Sequence, residues 1–167
     1  MEARAKLFGH AIHQMLIPFP LGLLGASVAF DVVHLLNGAP RFADVAYWMI
    51  VAGLIGGLLA APFGLLDWTK IPSGTRARRI GALHGAGNLV VVLLFAASWW
   101  LRESDPAAPS GLARVLSFAG VGLAVVTGWL GGELVDRLGV GVDDGAHLDA
   151  PSSLSHQSAT AGRAETR

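Results

Sequence analysis

The sequence predicts an all-α membrane protein: a four-transmembrane-helix, up-down-up-down bundle followed by a disordered C-terminal tail. Three observations carry that prediction. Apolar residues fill 53% of the 167 positions and charged residues only 14%, against roughly 25% charged in soluble domains. Apolar segments at 15–36, 45–66, 80–101 and 112–134 each reach the roughly 20 residues that cross a bilayer. The second and third contain no Asp, Glu, Lys or Arg, and a soluble core helix rarely stays charge-free for so long.

The first segment follows Gly9-His10-Ala11-Ile12-His13 and carries Pro18 and Pro20 in its first turns. If this stretch is helical, His10 and His13 share a face, being three residues apart. Basic residues, an apolar run and Ala26-Ser27-Val28-Ala29 loosely imitate a cleavable secretory signal. The stretch is long for one, and its prolines fall where a signal helix is regular, so it is read as a retained span.

The connections 37–44, 67–79 and 102–111 hold Pro and Gly in turn-forming positions. Links this short make successive helices antiparallel neighbours. Lys70, Arg76, Arg78 and Arg79 crowd the middle connection, and Arg4 and Lys6 the amino-terminal arm. The opposite side holds only Arg41, Arg102 and Arg114. That asymmetry places both termini in the cytoplasm. Small-xxx-small pairs (Gly53/Gly57, Gly56/Ala60, Ala60/Gly64, Gly81/Gly85, Gly128/Gly132) let helix backbones approach closely. They serve packing within one chain first and are compatible with a homo-oligomer. The membrane domain is set at 1–142. The polar, aperiodic stretch 143–167 cannot bury enough apolar surface to order itself, and its His147 and His156 are read as solvated.

Several chemistries are excluded. Formal net charge is zero, which gives no electrostatic case for nucleic acid. The absence of Cys removes disulfides, thiolate nucleophiles, iron–sulfur ligation and Cys-type zinc sites. Ser27, Ser98 and Ser117 have no base at useful spacing, and no phosphate loop is present. Trp48, Trp68, Trp99, Trp100 and Trp129 mostly sit near helix ends, as interfacial anchors do.

Polar groups within a bilayer are costly, and each is a functional candidate. Topology sorts them into two layers. One holds His10, His13, Asp67, His84, Asn88 and Glu133, with a contribution from every helix. The other holds Asp31 and His34, three apart, read as a local pair or a proton-exchange point. At 1.5 Å per residue, His13 and His34 lie roughly 30 Å apart along a helix, too far for one site. Three readings of the first layer stand open. Haem b could be ligated axially by His84 with His13 or His10, glycines making room and Arg76, Arg78 or Arg79 meeting its propionates. A transition metal could be held by His10, His13 and His84 with a carboxylate from Asp67 or Glu133. Or the layer binds no cofactor and is structural.

The run Gly9-His10-Ala11-Ile12-His13 followed by Pro18-Phe19-Pro20-Leu21-Gly22-Leu23-Leu24 resembles the opening of a bacterial membrane family, domain-of-unknown-function family 2231. So do Gly64-Leu65-Leu66-Asp67-Trp68 with Ile71-Pro72-Ser73-Gly74-Thr75, His84 with Asn88, and Gly131-Gly132-Glu133-Leu134-Val135 with Gly139-Val140-Gly141-Val142. Two positions depart from its pattern: Ala11, where Pro is common, and Asp136, where Tyr is common. The resemblance implies a multi-pass protein of the bacterial inner membrane without an established activity. Fusion of some members to Rieske-type domains, and a bundle like that of b-type cytochromes, imply electron transfer with a separate redox partner protein. The resulting expectation is a redox subunit in the lipid bilayer with His13 and His84 as principal ligands. His10 is then an alternate ligand, with Asp67, Glu133 and Asn88 supporting the imidazoles. The alternative is a non-enzymatic structural or assembly module whose polar layer only holds the helices together.

Overall fold

The computed structural model describes residues 1–161. It is 70% helical, with four helices long and apolar enough to cross a membrane. A two-stranded hairpin, β1 (Lys6–Leu7) and β2 (His10–Ala11), leads into α1 (Ile12–Leu16) and α2 (Pro18–Asn37). Then come α3 (Pro40–Lys70), α4 (Arg76–Arg102) and α5 (Gly111–Gly132), the last running into a π-helical turn at Glu133–Arg137. No more than 22% of the most apolar window of any span is buried within the protein. Leucines such as Leu58, Leu59, Leu89 and Leu93 lie more than half exposed. Helices apolar on every face need an apolar solvent, and the bilayer supplies it.

The helices begin and end where backbone chemistry demands. Pro18 and Pro20 occupy the first turn of α2, where N–H groups have no intrahelical acceptor. The ring of Pro18 breaks α1 from α2 at Ile17, while Ile17 N–H to the His13 carbonyl and Leu21 N–H to the Ile17 carbonyl carry the chain through. Gly38, at φ 69°, closes α2 in the left-handed conformation that favours glycine, its N–H donating to the His34 carbonyl. Pro40 then starts α3 at once. The first connection is therefore only Gly38 and Ala39, and α3 is 31 residues long, extending past the predicted 45–66 at both ends. Thr75 and Ser110 cap α4 and α5 by accepting from Arg78 N–H and Ala113 N–H.

Packing is closest within the pairs α2–α3 and α4–α5; α3–α4 and α2–α5 complete the ring. Leu24, Val28, Ile50, Val91 and Phe95 form the buried core. Glycine makes the close approaches possible. A Cβ on Gly53 would lie 2.6 Å from Leu24, and one on Gly120 would lie 2.7 Å from Phe95. Of the small-residue pairs predicted to pack, the α3 set and Gly81 meet neighbours within the chain, whereas Gly85 and Gly128 have nothing within 4 Å.

One end of the bundle contains a buried ion pair. Arg102 donates through Nη1 to Asp31 Oδ1 at 2.8 Å and through Nη2 to Asp31 Oδ2 at 2.6 Å. Its Nη2 also reaches Ser117 Oγ at 2.9 Å and its Nε reaches Ser98 Oγ at 3.2 Å. All four side chains are fully buried. Arg102 is thus the last residue of α4 and turned inward, where the sequence placed it in a loop. Asp31 pairs with it rather than with His34, whose Nδ1 bonds the Ala39 carbonyl at 3.0 Å. The reason is geometry and charge: a buried carboxylate is met by a permanently charged guanidinium through two parallel N–H bonds, which an imidazole cannot offer.

The segment predicted to lack order carries only a three-residue 3-10 turn, Ser153–Ser155; residues 162–167 of that prediction lie outside the described residues.

Removing one partner of a buried pair strands the other charge, at a cost of about 3–5 kcal/mol. Asp31→Asn and Arg102→Met are each expected to lower the thermal midpoint in detergent steeply. The double variant Asp31→Leu/Arg102→Met, with no charge left to strand, is expected to lose less than either single variant.

Candidate functional site

The histidine layer lies at the other end. His84 on α4 and Thr127 on α5 meet because glycine lets them: a Cβ on Gly87 would lie 2.5 Å from Thr127 Cγ2, and one on Gly131 would lie 3.1 Å from the His84 ring. His84 Nδ1 is 2.8 Å from the Thr127 carbonyl. A carbonyl only accepts, so the bond assigns the proton to Nδ1. His84 Nε2 is then a lone pair and takes the Asn88 amide N–H at 3.1 Å. The Asn88 carbonyl oxygen in turn accepts from the Thr127 hydroxyl at 2.9 Å. The three residues close a ring of hydrogen bonds between α4 and α5. Both ring nitrogens of His84 are engaged.

His13, on α1, donates through Nδ1 to the Ala60 carbonyl of α3 at 3.0 Å. Its ring lies over Gly64, where a Cβ would sit 2.7 Å away. Among the described residues nothing bonds its Nε2.

The remaining candidates are elsewhere. His10 is not helical: it pairs with Leu7 across the hairpin, is exposed, and bonds Ser153 Oγ at 3.4 Å. It therefore shares no helix face with His13. The turn itself explains the difference, since Phe8 and Gly9 both have positive φ, 51° and 86°, the geometry of a tight two-residue hairpin. Asp67 accepts the backbone N–H groups of Arg4 and Ala5 at 2.6 and 3.2 Å, and Glu133 pairs with Arg76 at 2.6 Å. Neither carboxylate touches an imidazole. Asp67 is drawn to unpaired backbone donors of the arm, and Glu133 to a cation one helix away. Asn88 does bond His84, at the nitrogen that a metal would need.

A bis-histidine haem or a three-ligand metal site therefore does not fit these residues as placed. His84 Nε2 is taken, and among the described residues no three His, Asp or Glu side chains converge. Two surface clefts, of about 420 and 370 Å³, are lined by Trp100, Leu101, Glu103 and Ser104 and by Phe8, His10, Ser152, Ser153 and Leu154. Neither touches His13 or His84.

The polar residues at this end instead clamp the arm, the α3–α4 connection and the tail. Arg78 stacks over Trp68, 3.6 Å from the ring centroid, and donates to the Trp68 and Ile71 carbonyls that end α3. Trp68 Nε1 returns a bond to the Arg78 carbonyl. Lys6 bridges Glu2 and Asp143. The Asp143 carboxylate raises the Lys6 ammonium above its ordinary 10.5; burial pulls the other way, and Glu2 adds to the rise.

Residues missed in the sequence are Arg102, Ser98, Ser117 and Thr127. A signal for the first two was present: an intramembrane Asp31 requires a cation, and Ser98 and Arg102, four apart, share a helix face.

Four apolar spans with polar ties at both ends define a small polytopic membrane protein. The family model described as Predicted membrane protein (DUF2231) matches residues 9–144, and the chain belongs to that family, whose function is unknown. No curated protein and no solved structure matches it.

Gly64→Ala is expected to destabilise by about 1–3 kcal/mol, the usual range for overpacking, because the His13 ring must move. Gly128→Ala, which meets open space, is the control and should melt as the parent does. The Lys6 tie has a raised folded-state pKa, so its stabilisation is full below about 10.5 and is lost as pH rises through the raised value. Spin labels on Leu7→Cys and Leu148→Cys, unique in a chain without Cys, should separate only above that pH, and at neutral pH in Lys6→Met.

Proposed function

We propose that the chain is a non-enzymatic membrane module: a structural or assembly subunit whose polar layers fix how its four helices meet. We place it in a bacterial inner membrane with both termini cytoplasmic, on the count of Lys and Arg near the helix ends. The observation that carries the proposal is the closed ring of His84, Asn88 and Thr127. A satisfied network of this kind rigidifies and specifies one packing, and it leaves no ring nitrogen of His84 for chemistry. Asp67 and Glu133 serve the same end, the first by tying down backbone N–H groups and the second by holding Arg76.

A second reading, a haem or metal redox subunit working with a separate partner protein, is favoured by one observation. His13 Nε2 has no partner among the described residues. Ligation by both would require Asn88 to release His84.

One sample separates the two. The structural reading expects purified, folded protein with a featureless reduced-minus-oxidised absorption spectrum and no stoichiometric transition metal. It also expects His84→Ala to lose about 1–3 kcal/mol of stability through unpaired buried groups. A Soret band with sharp reduced α and β bands, lost in His84→Ala while the bundle stays folded, would overturn it.

A further inference from the structure

Charge is unevenly satisfied at the end that carries the arm. Glu2 and Asp143 are taken by Lys6, Glu133 by Arg76, Asp144 by the amino terminus and Asp67 by backbone N–H groups. Among the described residues at this end Arg4, Lys70, Arg79 and Arg137 are exposed and have no carboxylate partner, against two exposed acids, Asp136 and Asp149, without a cation partner. Arg4 is held beside Lys70 by its bond to Thr69 Oγ1 at 3.2 Å.

The two central cations stand over apolar surface. Lys70 ends α3 and Arg79 lies in the first turn of α4, on either side of the short 71–75 connection. Four residues into the membrane from each, on the same helix face, are Leu66 and Leu83, 43% and 62% exposed. A cation above a lipid-facing leucine, on each of two neighbouring helices, matches an amphiphile with an anionic head and an apolar chain.

We propose that this end binds an anionic phospholipid of its own bilayer, its phosphate between Lys70 and Arg79 and an acyl chain along Leu66 and Leu83. Charge complementarity selects the occupant: free cations at the depth of the headgroups attract anionic lipid, and a zwitterionic head offers no net charge in return. Nothing in the proposal depends on whether the histidine layer holds a cofactor.

The test is native mass spectrometry of the full chain released from vesicles of phosphatidylcholine with phosphatidylglycerol, and from phosphatidylcholine alone. Retained phosphatidylglycerol is expected for the parent. Lys70→Gln/Arg79→Gln should bind it about ten- to thirtyfold more weakly, while melting like the parent in detergent free of anionic lipid. Lys70→Arg/Arg79→Lys should retain binding, as should Arg41→Gln at the opposite end. Equal retention by the Gln variant, equal retention of phosphatidylcholine, or displacement of the lipid by millimolar inorganic phosphate would each overturn the proposal.

Discussion

The architecture depends on the Asp31–Arg102 ion pair. In lipid there is little hydrophobic force between helices, because the tails are as apolar as leucine. Something else must decide which helix faces which. A guanidinium within the bundle has one low-energy position, against the single carboxylate that meets it bidentately. That position fixes the rotation of α2 and α4 together. Ser117 brings in α5, since its hydroxyl meets both Arg102 and Ser98. The pair thereby joins α2 to α4 and α5, none of which follows it directly in the chain. Short loops enforce the sequential contacts; the ion pair closes the ring that loops alone leave open.

The opposite end is organised differently. There the ties within the spans run through imidazole, amide, hydroxyl and backbone groups (His84 with Asn88 and Thr127, His13 with the Ala60 carbonyl), and the ion pairs lie toward the helix ends and beyond. This division follows from depth. A charge near the helix ends can reach water and need not be buried, so Lys6, Arg76 and Glu133 act in exposed or half-buried pairs that contribute little individually. Deeper groups must be satisfied from within the protein. Imidazole, amide and hydroxyl side chains achieve that by bonding one another and backbone carbonyls. Glycines at 64, 87 and 131 are part of the same solution, since each removes a Cβ that would hold the helices too far apart for those bonds.

Much of this was legible in the sequence. Four spans, their antiparallel order and the polar character of one layer follow from apolar length, short connections and the positions of His and Asn. What was not legible is direction. Asp31 and His34 three apart suggested a local pair, because helical spacing describes neighbours on one helix and is blind to a partner on another. His10 and His13 suggested a shared face, because nothing in their spacing reveals that Phe8 and Gly9 turn the chain in the left-handed region just before them. Asp67 was expected to orient an imidazole. Its competitors, the backbone N–H groups of Arg4 and Ala5, have no side-chain signature at all. The pairing that mattered most, Arg102 with Asp31, could be reached only by asking which cation would neutralise a carboxylate inside the membrane.

That question bears on function as well as fold. A site that does chemistry needs a group with unused capacity: a lone pair, a proton to give, or a charge not already neutralised. Counting such groups is more informative here than counting histidines. His84 has both nitrogens engaged, His34 and His10 each make a bond at one nitrogen, and the membrane carboxylate Asp31 is fully paired. Among the described residues the unused capacity within the spans lies in His13 Nε2, in His34 Nε2 and in two buried donors without protein partners, Trp99 Nε1 and Arg114 Nε. His13 is on α1, near the arm. His34 is on α2, Trp99 on α4 and Arg114 on α5, all toward the ion-pair end, so a bundle length separates His13 from the other three. Groups that far apart do not share one site, whereas the satisfied polar ties at both ends each join two or more helices.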